Sequence, residues 1–288
     1  RHLVNMKRYC EIAKRYELHK THPATQVMYS RGCPNACTYC TTPGIWGNRV
    51  RQRSARNIVY ELCELRDKYG VTDVKFFDDT FNMSKKWMRE FWKELKLSGL
   101  LDEFVFRCLG RVSNADMEML SLMKNCGCYL IEFGVESGSQ SVLDNIRKNI
   151  TVQEVRDAFR NARKLKIYTK GFFMVNLPGE GWRDIEKTKQ LMLELPMNDY
   201  ALSICMLFPG SQLFAEAGIE WTADADVSGE AIQSHVREYR GRYDLEQLNR
   251  IVSEIGNEVR KKHGFEYAKM LWNLNRRLIY SEIKRMLK

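Results

Sequence analysis

Strand-like and helix-like segments alternate six times along this chain, which limits the folds open to it. The strand-like runs are short and apolar and lie at residues 26–29, 73–77, 104–108, 129–135, 168–175 and 200–207. The segments between them carry apolar residues at helical spacing, as at Ile58, Leu62 and Leu65, with typical cap residues such as Ser54 and Gly70. Alternating strands and helices predict a parallel sheet covered by helices. Six units are too few for the eight-stranded barrel, so we expect an α/β fold, a partial (β/α)6 TIM-like barrel with a C-terminal helical extension.

The pattern changes after residue 214, which divides the chain into three predicted parts. Residues 1–24 are an N-terminal helical or linker segment, and residues 25–214 are the partial barrel. Residues 215–288 are a mostly helical C-terminal extension. Within it, residues 220–243 are a loop-rich junction, followed by helical segments at 245–262 and 267–288.

The composition is that of an ordinary globular chain, with 44% hydrophobic and 28% charged residues. No apolar run approaches the roughly 18 residues that span a bilayer, and the first residues lack the order of a signal peptide, so we expect no membrane span and a cytoplasmic location. Nine cysteines, an odd number, fit a reducing compartment better than a disulfide framework. The net charge of +10 favours an anionic partner. The alternative is a solvated basic helix face, because much of the excess lies late in the chain, for example at Arg260, Lys261 and Lys262.

Three cysteines follow the first strand-like run at C-x3-C-x2-C spacing: Cys33, Cys37 and Cys40. Three thiolates on one short loop can bind three irons of a [4Fe-4S] cube, and no fourth cysteine lies close in sequence for the last iron. An open metal position is typical of a reactive site, because structural sites fill every position with protein ligands. Two alternatives stay open here: a zinc knuckle with His22 as the fourth ligand, and three unrelated buried cysteines.

The segment from Ser30 to Cys40, with the aromatic Tyr39 before its last cysteine, resembles the signature of the radical S-adenosylmethionine (SAM) enzymes. The form Ser-Arg-Gly-Cys-Pro at residues 30–34 resembles the cobalamin-binding branch, which includes anaerobic magnesium-protoporphyrin ester cyclases and methyltransferases, and the likeness runs from about residue 25 to 214. The resemblance implies an oxygen-sensitive enzyme in which the three cysteines bind a [4Fe-4S] cluster and SAM chelates the fourth iron. Reduction would cleave SAM to methionine and a 5′-deoxyadenosyl radical, which abstracts hydrogen from the substrate.

The same resemblance assigns SAM-binding roles to residues at the predicted strand ends, where the loops of such folds converge. Asp78 and Asp79 follow the second strand and are expected to bind the α-ammonium group, although relatives commonly have a Gly-Gly-Glu-like segment there. The alternative for both is a turn residue and helix N-terminal partner. Glu136 and Ser137 follow the fourth strand, and the carboxylate is the expected ligand of the ribose hydroxyls. Ser137 or Ser139 as a simple helix cap is the competing interpretation.

Further cofactor-binding positions carry less specific motifs. Asn176 follows the fifth strand and Leu207 ends the sixth, in segments that resemble those around the adenine ring. Relatives more often have glycine in place of Asn176 and threonine in place of Gly181, which leaves the adenine contact open. Arg111, just past the third strand, is suited to pair with the carboxylate of SAM or of an acidic substrate, and the alternative is a surface or structural ion pair. Tyr39 completes the predicted cofactor site, and no catalytic residue is assigned.

The resemblance implies a small anionic or carrier-bound substrate that is methylated, cyclised or rearranged, and an electron donor such as flavodoxin or ferredoxin. Cobalamin is expected only if an upstream domain is missing, because about 24 residues precede the first strand and no Asp-x-His-x-x-Gly motif occurs. The other six cysteines are expected to be mostly buried apolar residues, with no auxiliary cluster. Two rival functions stay open: a radical SAM tRNA-modifying enzyme of the methylthiolating type, with RNA as partner, and a non-enzymatic metal-binding module.

Overall fold

A computed structural model describes residues 4–16, 19–218 and 243–274 of the protein. Six parallel strands form its central sheet. The strands of the described residues are β1 (Ala24–Val27), β2 (Ser30–Arg31), β3 (Arg51–Gln52), β4 (Asp73–Phe76), β5 (Val105–Gly110), β6 (Cys128–Glu136), β7 (Tyr168–Val175) and β8 (Asp199–Ile204). The sheet has the order β1-β4-β5-β6-β7-β8 with every neighbouring pair parallel, and β2 and β3 form a separate antiparallel ladder. Spatial order therefore follows chain order, which confirms the expected α/β partial barrel.

Helices alternate with these strands, and α3 begins and ends at the cap residues predicted for it, Ser54 and Gly70. In the part of the chain that the structure describes they are α1 (Met6–Tyr16), α2 (Thr42–Trp46), α3 (Ala55–Tyr69), α4 (Lys85–Leu97), α5 (Met117–Asn125), α6 (Gln140–Asn145), α7 (Val152–Lys164), α8 (Trp182–Glu194), α9 (Gln212–Glu216) and α10 (Leu245–Leu274). Ser54 and Ser84 cap α3 and α4 through their side chains, and Thr151 with Glu154 forms a capping box at the start of α7. Gly70 ends α3 at φ 66°, a left-handed conformation that glycine adopts without strain. Within the described residues, no helix combines the length and apolar character needed to cross a membrane.

The main core lies between the sheet and the helices outside it. Val74 and Phe76 of β4, Phe106 of β5 and Ile131 and Phe133 of β6 are buried in this layer. Successive side chains of a strand point to opposite faces. The residues that alternate with these buried ones along each strand therefore line the inner face of the partial barrel. Five of the six cysteines outside the motif are buried, as predicted, and Cys63 is half-buried.

The C-terminal helix α10 packs beside β8 and α8. Two helical segments were expected here, but one helix of 30 residues continues through Gly264. Its buried residues Val259, Met270 and Leu271 lie on both sides of this glycine, and the last two pack against Tyr129. Burial of the apolar face of α10 on both sides of Gly264 stabilises one continuous helix. This stabilisation outweighs the roughly 1 kcal/mol that a glycine costs inside a helix. The predicted junction, apart from residue 243, and the predicted helix beyond residue 274 lie outside the described residues.

The basic residues that the sequence placed late in the chain lie partly on this helix. Arg260, Lys261 and Lys262 are exposed, and Arg260 also lines a pocket beside Tyr200 of β8. This arrangement agrees with the solvated helix face considered as the alternative to an anionic partner.

Candidate functional site

The carboxyl ends of the six parallel strands meet at one edge of the sheet, and each predicted site segment follows one of them. The cysteine loop follows β1, with Asp78 and Asp79 after β4, Arg111 after β5, Glu136 and Ser137 at the end of β6, Asn176 after β7 and Leu207 after β8. The structure thus brings all the predicted positions to one edge of the partial barrel, where active sites of such folds are built.

Asp78 holds the beginning of the cysteine loop. Its Oδ1 accepts hydrogen bonds from the backbone nitrogens of Tyr29 (3.0 Å) and Ser30 (2.5 Å) and from the Ser30 hydroxyl (2.8 Å). The residue is 2% exposed, and its Oδ2 has no hydrogen-bond partner among the described residues. Burial raises the pKa of Asp78 to about 7, although the hydrogen bonds from Ser30 and Tyr29 act in the opposite direction. Asp78 therefore orients the chain where it leaves the sheet for the cysteines.

Asp79 joins the two ends of the cysteine loop. This exposed carboxylate accepts hydrogen bonds from the Gly32 nitrogen at Oδ2 (3.3 Å) and from the Thr42 hydroxyl at Oδ1 (2.9 Å). Gly32 has φ +93°, and a Cβ there would lie 2.5 Å from the carbonyl oxygen of Arg49. Only glycine fits this close approach, so the loop is closed tightly at its base.

The three cysteines lie on this restrained loop. Cys33 and Cys40 are half-buried, and Cys37 is buried at 9% exposure. The Asn35 side-chain nitrogen donates to the Cys33 sulfur at 3.3 Å, and the Thr42 backbone nitrogen donates to the Cys40 sulfur at 3.5 Å. Donors of this kind stabilise negative charge on sulfur and tune the potential of a cluster that the sulfur binds.

The donor set fits an iron–sulfur cluster better than the two alternatives. In the described part of the chain, no group of three His, Cys, Asp or Glu side chains is placed to hold a single metal ion. A cube differs from a single ion because each cysteine binds a different iron. His22 precedes β1 whereas the cysteines follow it, and a four-residue strand is about 13 Å long, so the zinc-knuckle interpretation does not fit. Cys33 and Cys40 are too exposed for the interpretation as unrelated core residues.

A buried triad joins the cysteine loop to the end of β6. Glu136 Oε1 accepts hydrogen bonds from the Tyr39 hydroxyl (3.0 Å) and from Lys148 Nζ (2.7 Å), and Lys148 Nζ also lies 3.0 Å from the Tyr39 oxygen. Glu136 and Lys148 are each 7% exposed. Burial, followed by the charge of Glu136, raises the pKa of Tyr39 well above its usual range, so the phenol stays neutral. A Cβ at Gly134 would lie 2.6 Å from Glu136 Oε1, so glycine makes room for the triad.

Lys148 is the site residue that the sequence did not reveal, and Arg111 supports it. The Arg111 guanidinium donates to the carbonyl oxygens of Lys148 and Asn149, the second at 3.1 Å, and its Nε donates to the Ser113 hydroxyl at 3.1 Å. Arg111 is buried and contacts the backbone that carries Lys148, in place of the ion pair considered from the sequence. A single lysine in a polar turn carries no sequence signal that distinguishes it from a surface residue.

Two strand ends carry non-glycine residues with positive φ: Glu136 at 71° and Asn176 at 67°. Such conformations cost on the order of 1 kcal/mol or more and concentrate at functional sites. Beside Asn176, the buried Glu180 accepts a hydrogen bond from the Leu177 nitrogen at 3.3 Å, while its Oε1 has no partner among the described residues. Burial raises the pKa of Glu180 to about 7.

Ser137 and Leu207 lie behind the strand ends in the packed interior. The fully buried Ser137 hydroxyl is hydrogen-bonded to the Thr188 hydroxyl at 3.1 Å and accepts from the Ser139 nitrogen at 3.1 Å. Ser139 is the N-cap residue of α6 but makes no side-chain cap bond. Leu207 is 1% exposed. These two positions shape the site through packing and through the backbone that they fix.

The chain belongs to the radical SAM superfamily, whose family model matches residues 27–192. The matched range includes the cysteine loop and the ends of β4, β5, β6 and β7. The resemblance stated from the cysteine motif is therefore confirmed, and membership of this superfamily implies a [4Fe-4S] cluster and SAM as cofactors.

Relatives include methyltransferases and cyclases. Cytidylyl-2-hydroxyethylphosphonate methyltransferase of Streptomyces wedmorensis is 27% identical over 286 residues, 95% of this chain and 53% of the relative. The anaerobic magnesium-protoporphyrin IX monomethyl ester cyclase of Cereibacter sphaeroides is 29% identical over 189 residues, 65% of this chain and 31% of the relative. The chain thus spans about half or less of the length of these curated relatives.

The fold is also found among solved structures. The radical SAM methyltransferase TsrM from Kitasatospora setae, solved with cobalamin and a [4Fe-4S] cluster bound, matches with a TM-score of 0.64 at 20% identity. The match covers 76% of this chain and 44% of TsrM. This likeness supports the partial-barrel fold.

Proposed function

We propose that this protein cleaves SAM reductively at a cluster bound by Cys33, Cys37 and Cys40, and that it methylates a small anionic substrate. The observation that carries the proposal is the hydrogen-bonded connection of the cysteine loop to the Tyr39–Glu136–Lys148 triad at the strand edge. When bound, the cofactors supply the electron and the 5′-deoxyadenosyl radical. The chain binds and orients SAM and keeps water from the reacting atoms.

The residues around the loop support a division of the SAM-binding roles. Asp79 is exposed and keeps acceptor capacity for the α-ammonium group, whereas Asp78 has Oδ1 occupied by loop donors and serves to orient the loop. Glu136 has one oxygen held by Tyr39 and Lys148, which leaves its other oxygen for the ribose hydroxyls. Asn176 and Leu207 enclose the adenine side, Ser137 shapes the ribose side through its packing, and Arg111 positions Lys148.

The inner face of the barrel supports an anionic substrate. A row of ionised side chains crosses five strands: Lys75 of β4, Arg107 of β5, Glu132 of β6, Lys170 of β7 and Asp199 of β8. Arg107 and Glu132 pair at 3.0 Å, and Lys170 and Asp199 pair at 2.8 Å. Lys75 Nζ also lies 3.9 Å from Glu132 Oε2. Three cations against two carboxylates leave the row with an excess positive charge, which attracts an anion. The Streptomyces relative is named for methylation of a cytidylyl phosphonate, a substrate of this charge.

Anaerobic reconstitution with iron and sulfide tests the proposal. We expect about four irons per chain, as a [4Fe-4S] cluster requires, and 5′-deoxyadenosine released from SAM under dithionite. An anionic phosphonate ester should raise this release, whereas a neutral alcohol of similar size serves as the control. Transfer of a methyl group to the ester is expected only with added cobalamin, with a second SAM as the methyl donor. A chain that binds one zinc and leaves SAM intact would be the non-enzymatic module instead. RNA stays a rival substrate, and strongly salt-dependent RNA binding with methylthiolated tRNA as product would favour it.

The proposal also includes an electron donor and a condition for cobalamin. A flavodoxin or ferredoxin is the proposed source of the electron. Cobalamin belongs to the proposal only on the condition that a domain outside residues 1–288 binds it. Addition of cobalamin to the reconstituted protein, followed by gel filtration, tests whether this chain alone retains it.

A further inference from the structure

The β2–β3 hairpin, which encloses the cysteine loop, carries a cationic surface outside the SAM site. Residues 21–60 contain no Asp or Glu and five arginines: Arg31, Arg49, Arg51, Arg53 and Arg56. All except Arg53 are exposed. The antiparallel ladder places Arg31 directly opposite Arg51. Like charges at opposed ladder positions are destabilising, so stability of the hairpin does not explain this arrangement.

A groove of about 930 Å³ lies between this hairpin and β1, the first strand of the sheet. Three large apolar side chains are part of its lining: Trp46, Ile45 and Phe77, of which the last two are 65% and 49% exposed. The Arg31 guanidinium lies 5.1 Å from the centre of the Trp46 ring, and Arg51 Nη2 donates to the Trp46 carbonyl oxygen at 3.1 Å. Aromatic side chains and arginines of this kind are enriched at protein–protein interfaces.

The charge of the groove is not neutralised internally. Its acidic lining residue is Glu61, which pairs with Arg53 at 2.6 Å. Arg31 and Arg51 make no ion pair within the described residues. They keep their positive charge for a partner, and an acidic protein surface would approach under electrostatic attraction.

We infer that the groove and the exposed arginines of its hairpin, Arg31, Arg49 and Arg51, form the docking surface for a small acidic electron-carrier protein of the flavodoxin type. The inference rests on the proposed function, because reductive cleavage of SAM requires an electron from outside. Arg31 is two residues from Cys33, so a carrier bound here lies beside the cluster loop. In this step the carrier is oxidised by one electron, and that electron reduces the cluster held by the three cysteines. No bond is formed or broken.

Binding of an acidic flavodoxin to the reconstituted protein, measured by anaerobic calorimetry at several salt concentrations, tests the surface. In the double variant Arg49→Glu/Arg51→Glu we expect a Kd raised by about tenfold or more at low salt, and a weaker dependence of Kd on salt. The matched control is Lys86→Glu/Lys93→Glu, which makes the same double charge reversal at exposed positions of α4. This control should bind flavodoxin as the unmodified protein does.

A comparison of flavodoxin with dithionite as the reductant distinguishes a defect in docking from a defect in catalysis. At limiting flavodoxin, the double variant should release 5′-deoxyadenosine more slowly, while its rate with dithionite, a small reductant that needs no docking surface, should be unchanged. A Kd that is equal in the double variant and the unmodified protein overturns the inference. A dimer that the double variant dissociates, with flavodoxin binding intact, also overturns it, because the groove then binds a second copy. Failure of dithionite in the unmodified protein contradicts the proposed function, and the Kd comparison still decides the docking surface.

Discussion

Replacement of Asp78 by asparagine isolates the charge of the carboxyl that orients the cysteine loop. The amide oxygen of Asp78→Asn can keep the Oδ1 position, which accepts from Tyr29 and Ser30. The amide nitrogen takes the place of Oδ2, where a protonated carboxyl carries its hydroxyl. The variant is therefore a permanent copy of the neutral side chain, and it differs from the native protein only where Asp78 is ionised.

The size of the effect follows from the raised pKa of Asp78. Burial moves it from 3.8 to about 7, so between these values the native state holds a proton that the unfolded chain has lost. Because the native state binds more protons, stability falls as pH rises through this window and the loss is complete above the folded pKa. Relative to a side chain that is always neutral, Asp78 lowers the free energy of unfolding by about 2 kcal/mol at pH 5 and by about 4 kcal/mol at pH 8. We therefore expect the stability advantage of Asp78→Asn to grow by about 2–3 kcal/mol between these pH values.

Urea denaturation of both proteins from pH 5 to pH 8, followed by circular dichroism under anaerobic reducing conditions, measures this difference. The other titrating groups are the same in both proteins, so their contributions cancel in the comparison. An advantage that stays constant or shrinks as pH rises would refute the reasoning. It would mean that the donors of Tyr29 and Ser30 stabilise the carboxylate more than burial penalises it.

Three further predictions address the loop and the triad. Cys37→Ala should lose the cluster absorbance and its iron but keep the native circular dichroism, whereas Cys63→Ala should keep the iron; a full cluster in Cys37→Ala would contradict the ligand assignment. Lys148→Met removes the partner of the buried Glu136 carboxylate and should lower the free energy of urea unfolding by about 3–5 kcal/mol. Adding Glu136→Gln should restore part of that loss, and no recovery would argue against the pair. Asn35→Ala removes a donor to the Cys33 sulfur and should lower the cluster potential by about 40 mV in an electrochemical titration, from about 1 kcal/mol per hydrogen bond; an unchanged potential would show that this bond is absent in the holoprotein.

The sequence pattern predicted the order and type of the strands, because each buried strand is a short apolar run between helix caps. The end of β1 shows where such a pattern fails. Residues 26–29 were predicted, but β1 is Ala24–Val27. Tyr29 is apolar enough to look like part of a strand, yet its backbone nitrogen and that of Ser30 donate to Asp78 instead of extending the ladder with β4. A contact with a residue far along the chain ended the strand, and no local pattern records such a contact.

The difference between local sequence patterns and contacts distant along the chain also decides which parts of the candidate site could be predicted. The cysteines and Glu136 lie in compact motifs whose spacing carries the chemistry, so the sequence alone pointed to them. Lys148 acquires its role only because the turn after α6 lies over the end of β6 and Gly134 leaves room for its ammonium group. Arg111 was found by its position after a strand, but its partners are backbone oxygens that only the fold brings within reach.

The cysteine loop is restrained from several directions, which bears on how it accepts a cluster. Asp79 holds it from the end of β4, and Tyr39 is hydrogen-bonded to Glu136 at the end of β6. The Thr38 nitrogen donates to the carbonyl oxygen of Ile146, and the Thr38 carbonyl accepts from the nitrogen of Leu213 in α9. Ordering a free backbone costs about 1–2 kcal/mol per residue. Because folding already orders the central part of the loop, cluster binding does not have to supply this free energy. Loss of the Tyr39 anchor in Tyr39→Phe should therefore weaken cluster retention more than it weakens the fold, because the ordering of the loop would then fall on cluster binding itself.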